Sequence, residues 1–274
     1  MPITLMYITN DPAIAAIAQN AGVDRVWIDM EYKGKEDRQP GMNTVKSNHT
    51  VEDVKNLRPV LSSSALQVRI NPLDEDSKKE IDEVISAGAE YIMLPMFKTK
   101  NDVEKFISLV GGRAKTMLLL ETAEAAKNLE SYVTVPGIDE IHIGLNDLHL
   151  DCKKKFMFEL LADGTVDRLA SVLRKHNVKF GFGGIARLGY GMLPAEYVIC
   201  EHYRLGSSAA ILSRSFANTN NISDVNEIAH IFETEVAKIR AFEKSVTEYT
   251  EDQFESNRLQ TIEFVNKICE GIKK

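Results

Sequence analysis

Short apolar runs alternate with longer amphipathic stretches from one end of the chain to the other. The runs occupy residues 3–9, 25–29, 66–70, 91–94, 115–121, 140–144, 179–183 and 208–212. Each is rich in Val, Ile, Leu, Met or aromatic residues and has the length of a strand buried on both faces, as in parallel sheets. Between them, residues 11–21, 51–61, 77–87 and 101–110 read as amphipathic helices, and Ser77 and Glu80 have capping-box spacing. Strand-like runs that alternate in this way with helix-like stretches predict an α/β fold, a (β/α)8 TIM barrel. The rival doubly wound sheet uses fewer strands and places a Gly-rich fingerprint after the first, where this chain has none.

Three stretches break the rhythm. Residues 32–49 are long, polar and rich in Gly, Asn, Lys and Asp, which suits a βα loop on the face where barrels keep their chemistry. Residues 151–163 carry Lys153, Lys154 and Lys155 and then Phe156, Met157 and Phe158; the lysine run reads as a solvated face. Finally, residues 223–246 and 250–272 give two helical patterns where one would close the barrel. Residues 1–222 are thus expected to form the barrel core. Residues 223–274 supply a closing helix and a helical tail within the same domain. The tail's stripe of Phe254, Leu259, Ile262, Val265 and Ile268 needs a surface to cover it, its own barrel's or a neighbour's. A second subunit is the expected partner, giving a homo-oligomer, a dimer or a multiple of dimers.

Composition narrows the classes. The 274 residues are 44% hydrophobic and 27% charged, which fits a globular chain and not a disordered or fibrous one. Lys and Arg number 33 against 40 Asp and Glu, for a net charge of −7. That balance argues against nucleic acid or an anionic membrane as partner. Cys152, Cys200 and Cys269 form no CxxC pair and read as free thiols of a reducing cytoplasm. No stretch reaches the roughly 18 apolar residues of a membrane span. The start, Met1-Pro2-Ile3-Thr4-Leu5, lacks the features of a signal peptide. The expected location is cytoplasmic.

In a barrel, polar residues at the C-terminal ends of strands point into the mouth. Here those ends carry Asp29 and Glu31, Arg69 and Asn71, Pro95, Glu121, Gly144 to Asp147, Gly181 to Arg187, and Ser213 with Arg214. Carboxylates and arginines converging on one mouth suit a hard divalent cation and an anionic substrate. Oxygen ligands favour Mg²⁺ or Mn²⁺, and the missing His/Cys cluster argues against zinc. Plainer roles stand beside these. Glu121 or Asp147 can cap a following helix, and Arg69 can be an ordinary ion-pair partner of Glu121.

Several stretches together resemble the hydroxy-oxo-acid aldolase / citrate lyase β-subunit family of the pyruvate/phosphoenolpyruvate barrel superfamily. They are Val26-Trp27-Ile28-Asp29-Met30-Glu31, Val68-Arg69-Ile70-Asn71, Gly88-Ala89-Glu90-Tyr91-Ile92-Met93-Leu94-Pro95-Met96, Leu119-Leu120-Glu121-Thr122, Val135-Pro136-Gly137-Ile138-Asp139 and Ile143-Gly144-Leu145-Asn146-Asp147-Leu148. The match runs in order over residues 13–150 and fades in the last third. The resemblance implies a metal-dependent carbon–carbon lyase acting beside a 2-oxo acid or an acyl thioester, often with a helix exchanged between subunits. It places the Mg²⁺ or Mn²⁺ ligands on Glu121 and Asp147 and the substrate-binding arginine on Arg69. Substrate carboxylate contacts fall on Gly144, Leu145 and Asn146, and the acidic pair of the second strand falls on Asp29 and Glu31.

The chain also departs from the pattern. The aldolase branch has a His after the acidic pair, working with an Asp on a neighbouring helix; here those positions are Tyr32 and Ser86. Lys35 and Arg38 resemble a Lys and an Arg of the thioester-lyase branch. The leading expectation is an aldolase-type lyase that stabilises a pyruvate enolate with metal and Arg69, with proton transfer left to water, Tyr32 or a carboxylate. A lyase of coenzyme A thioesters and a non-catalytic barrel that binds an oxo acid or a protein partner are the alternatives.

Overall fold

The computed structural model describes residues 1–34, 48–213, 215–217, 222 and 224–272. The strands are β1 (Thr4–Ile8), β2 (Arg25–Asp29), β3 (Ala65–Arg69), β4 (Tyr91–Leu94), β5 (Lys115–Leu120), β6 (Glu140–Ile143), β7 (Lys179–Ile185) and β8 (Ala209–Leu212). All neighbours pair in parallel, and β8 returns to β1 to close the barrel. Helices α1 (Pro12–Asn20), α2 (Val51–Leu57), α3 (Ser77–Ser86), α4 (Lys100–Val110), α5 (Ala123–Tyr132), α6 (Leu145–Asp151), α7 (Glu159–Ala162), α8 (Thr165–Lys175) and α9 (Ala195–Leu205) occupy the crossovers. They are followed by α10 (Val225–Val246) and α11 (Glu251–Gly271). The TIM barrel expected from the apolar rhythm is the fold. No helix of the described residues is long and apolar enough to cross a membrane.

Strand side chains alternate between two cores. One, between strands and helices, buries residues such as Val26, Ile28, Leu66, Val68, Leu118 and Ile141. The other fills the barrel with Met6, Trp27, Met93, Met117, Leu119 and Ala209. Its N-terminal end is plugged by Arg25, whose guanidinium donates to Glu140 at 2.9 and 3.1 Å and to Gln67 at 3.1 Å. The same guanidinium lies 3.7 Å from the centre of the Tyr91 ring. The polar residues at the opposite end are therefore the ones left to face a ligand.

Local chemistry sets most helix starts. Asp11 accepts from the amides of Ala13 and Ile14 ahead of α1, with Pro12 at the first helical position. Thr99 and Asp102 form a capping box on α4, as do Thr250 and Gln253 on α11. The Ser77–Glu80 box does not form. Ser77 Oγ accepts from the Asp74 amide instead, and Glu80 turns back to Asn71. Helix α10 closes the barrel against α1, and its Glu243 accepts from the Ile3 amide at 2.7 Å. Helix α11 lies along α7 and α9 of its own chain, with Thr261 and Val265 buried. Leu259, on the expected stripe, stays 56% exposed. In the lysine run, Lys154 pairs with Asp163, and Lys155 reaches the Cys269 carbonyl at the end of α11.

Candidate active site

Strands β2 and β3 are in register so that Asp29 lies beside Arg69. Arg69 grips it with two parallel bonds, Nε to Oδ1 and Nη2 to Oδ2, each 2.8 Å. Its Nη1 lies 3.3 Å from Glu31 Oε2. Both carboxylates are buried, and the guanidinium sits 5.2 Å from the Trp27 ring centre. Burial opposes the charge on Arg69, but Asp29 and Glu31 outweigh it and hold its pKa above the ordinary value. The planar fork is thus fixed in place before any ligand arrives.

Glu121 follows β5 and is 2% exposed. Its Oε1 accepts from the Met96 amide at 3.1 Å, and Met96 holds a left-handed backbone, φ 56°, unusual for a side-chain-bearing residue. A Cβ on residue 144 would come within 2.9 Å of Glu121 Cβ and 3.2 Å of its Oε2, so Gly144 is what lets the carboxylate lie against the β6 end. Burial pushes the Glu121 pKa well up. Glu31 and Asp147 add to the rise, and Arg69 opposes it. Glu121 does not cap α5; Thr122 does, accepting from the Ala125 amide. Asp147 does not start a helix after Leu148 either, because α6 already begins at Leu145.

The fit to a divalent cation can be judged from these donors. A buried carboxylate whose charge is resisted by burial and by two neighbouring carboxylates is relieved by a dication, and the donors are all hard oxygens. Among the described residues no group of three or more His, Cys, Asp or Glu is arranged to hold an ion.

The structure brings Asp29, Glu31, Arg69 and Glu121 together, with Asp147 close enough to act on Glu121 electrostatically. Tyr32 is 64% exposed, outside this buried set, and what is held is its backbone amide, which donates to Asn71 Oδ1. Leu145 is buried and Asn146 exposed on α6. Lys35, Arg38 and Arg214 lie outside the described residues. Arg187, beyond β7, stacks 4.7 Å from the centre of the exposed Tyr190 ring.

Two site features escaped the sequence reading. His49 Nδ1 accepts from the Asp29 backbone amide at 3.0 Å, so the neutral ring carries its proton on Nε2. Asn71 is braced from behind by Glu80, which accepts from its side-chain amide at 2.8 Å. His49 ends a polar loop with no motif around it. Glu80 looked like one half of a helix cap.

The family model HpcH/HpaI aldolase/citrate lyase matches residues 3–159, more than half of the chain. The protein belongs to the HpcH/HpaI aldolase/citrate lyase family. Among solved structures, an HpcH/HpaI aldolase from Desulfitobacterium hafniense DCB-2 is similar at TM-score 0.62 and 16% identity, over 91% of this chain and 95% of that one. A family protein from Burkholderia cenocepacia J2315 gives 0.60 at 13% identity, over 90% and 94%. The citrate synthase SbnG gives 0.60 at 16% identity, over 88% and 94%. At such identities the likeness is one of fold. No match was found among curated proteins.

Proposed function

We propose that this family member is an aldolase-type carbon–carbon lyase acting on 2-oxo acids, with Mg²⁺ or Mn²⁺ held by Glu121 and Asp147. The observation that carries the reading is the buried Glu121 carboxylate, crowded by Glu31 and Asp147 and set beside a pre-fixed Arg69. When bound, the cation supplies Lewis-acid polarisation of the substrate's carboxylate and carbonyl oxygens. The residues do the rest. Asp29 holds the plane of the Arg69 guanidinium, leaving N–H bonds on Nη1 and Nη2 to donate to the oxygen on which charge develops. Glu31, with its looser 3.3 Å contact to Nη1, is the carboxylate assigned to exchange a proton with substrate, with Tyr32 at the rim. Gly144, Leu145 and Asn146 contribute backbone to the substrate's carboxylate side.

The reading carries a cytoplasmic homo-oligomer as an expectation, with a small 2-oxo acid or acyl thioester as substrate and no nucleic-acid or membrane partner. A screen of aldol substrates for pyruvate release, with and without Mg²⁺ or Mn²⁺, tests it. Metal-dependent release supports the aldolase. Turnover of acyl-coenzyme A substrates alone selects the thioester lyase that Lys35 and Arg38 suggest. Binding of oxo acids without turnover selects a non-catalytic barrel.

A further inference from the structure

His142 lies in β6, two residues before Gly144, and is 1% exposed. Burial lowers its pKa to about 4, so the ring is neutral at physiological pH. Its Nε2 lies 3.1 Å from the Gly183 carbonyl, and a carbonyl only accepts, so the ring proton is on Nε2. The other nitrogen, Nδ1, makes no hydrogen bond and rests against Gly181, where a Cβ would come within 2.7 Å of it. The ring is therefore wedged against β7 and tied to it at one point.

That point is where β7 leaves its ladder. The pairing of β7 with β8 shifts register between Gly181 and Gly184, and Gly183 takes a left-handed backbone, φ 50°. The Gly183 carbonyl is half-buried, and the His142 bond supplies it a partner inside the bulge, so that bond matters to the bulge's shape. The bare Cα of Gly183 in turn seats Leu145. A Cβ there would lie 2.7 Å from Leu145 Cδ1 and 3.2 Å from its Cγ. Leu145 is the first residue of α6, which carries Asn146 and Asp147.

We propose that His142 is a positioning residue for the active site: by holding the Gly183 bulge it seats Leu145 and sets the Gly144–Leu145–Asn146–Asp147 turn against Glu121. Its part in metal binding rests on the ligand reading above; its part in ordering the turn does not. The pattern is that of a shell behind the ligands, where substitutions commonly cost 10–100-fold in metal affinity.

The test compares His142→Phe, which keeps the ring and loses the donor, with His142→Gln, whose amide nitrogen replaces Nε2. Hydrogen exchange of the peptide covering residues 144–151 is read by mass spectrometry, and Mn²⁺ affinity by calorimetry. The expected result is faster exchange confined to that peptide and about tenfold weaker Mn²⁺ binding in His142→Phe, with both restored in His142→Gln. A folded His142→Phe with unchanged exchange there overturns the proposal, as does equal disturbance by Phe and Gln. If His142→Phe does not fold, Gly183→Ala replaces it, and unchanged exchange in that variant overturns the proposal in the same way. A wild-type protein that binds no Mn²⁺ instead removes the metal reading, and the exchange result still decides the role of His142.

Discussion

At the residue scale the chemistry rests on how Arg69 is held. Its two 2.8 Å bonds to Asp29 fix a plane that a lysine cannot reproduce. Interactions that strengthen as charge reaches the transition-state oxygen appear in turnover. Arg69→Lys is therefore expected to lower kcat by about 10²–10³ on any accepted 2-oxo acid aldol, with Mn²⁺ affinity little changed. Steady-state kinetics near the wild-type rate would return Arg69 to the scaffold, as a buried ion pair and nothing more. Arg69, Asp29, Glu31, Glu121 and Asp147 stood out in the sequence because strand ends in a barrel are few and polar residues there are conspicuous. The residues behind them were not legible. His49, Met96 and His142 act through a backbone amide, a strained backbone angle and a backbone carbonyl, and such contacts leave no pattern in a sequence.

At the element scale, apolar runs located every strand, because a strand covered on both faces admits few polar residues. β2 and β4 begin and end where the runs do. β7 extends two residues further, through the glycine-rich bulge that a continuous apolar run does not reveal. Helix α2 stops at Leu57, short of the amphipathic pattern, because Arg58 precedes Pro59 and proline does not continue a helix. The same scale separates the two roles open to Glu121. Thr122 caps α5 through the Ala125 amide and also donates to the Phe97 carbonyl. Thr122→Ala is expected to cost roughly 1–2 kcal/mol of stability. Urea denaturation that shows no loss in Thr122→Ala would transfer the cap back to Glu121.

For the whole molecule, two buried histidines set a pH dependence. Burial lowers the pKa of His142 to about 4 and of His202 to about 3. His202 is stacked 3.7 Å from the centre of the Phe182 ring and bonded through Nδ1 to Ser207 Oγ at 2.7 Å. Both folded values lie below the unfolded value near 6.5, so the unfolded chain takes up protons first as pH falls. The stability they contribute is complete above about pH 6.5 and is lost as pH falls toward 4 and 3. Glu121, whose pKa burial holds well up, shifts stability the opposite way over the same range, so the histidine contribution is read as a difference: in urea denaturation at pH 7, 6 and 5, His202→Gln should gain on the wild type by on the order of 1 kcal/mol per pH unit as pH falls. A difference between variant and wild type that stays constant from pH 7 to pH 5 contradicts this. Assembly belongs to the same scale. Leu259 and Phe264 on α11 stay 56% and 39% exposed. Light scattering at micromolar concentration is expected to give a dimer or a multiple of it, and a monomer would contradict the expected homo-oligomer.

Asp29 and Glu31 at the end of β2 and Glu121 after β5 act on one arginine, Asp147 of α6 acts on Glu121, and Glu121 and Asp147 are the two proposed to hold a cation. Mn²⁺ calorimetry on Glu121→Gln and Asp147→Asn tests that assignment most directly, because a neutral amide is a far poorer partner for a hard dication. Saturable binding is expected in the wild type and its loss in both variants, with the thermal unfolding of each variant intact. Equal Mn²⁺ affinity in wild type and both variants would contradict it.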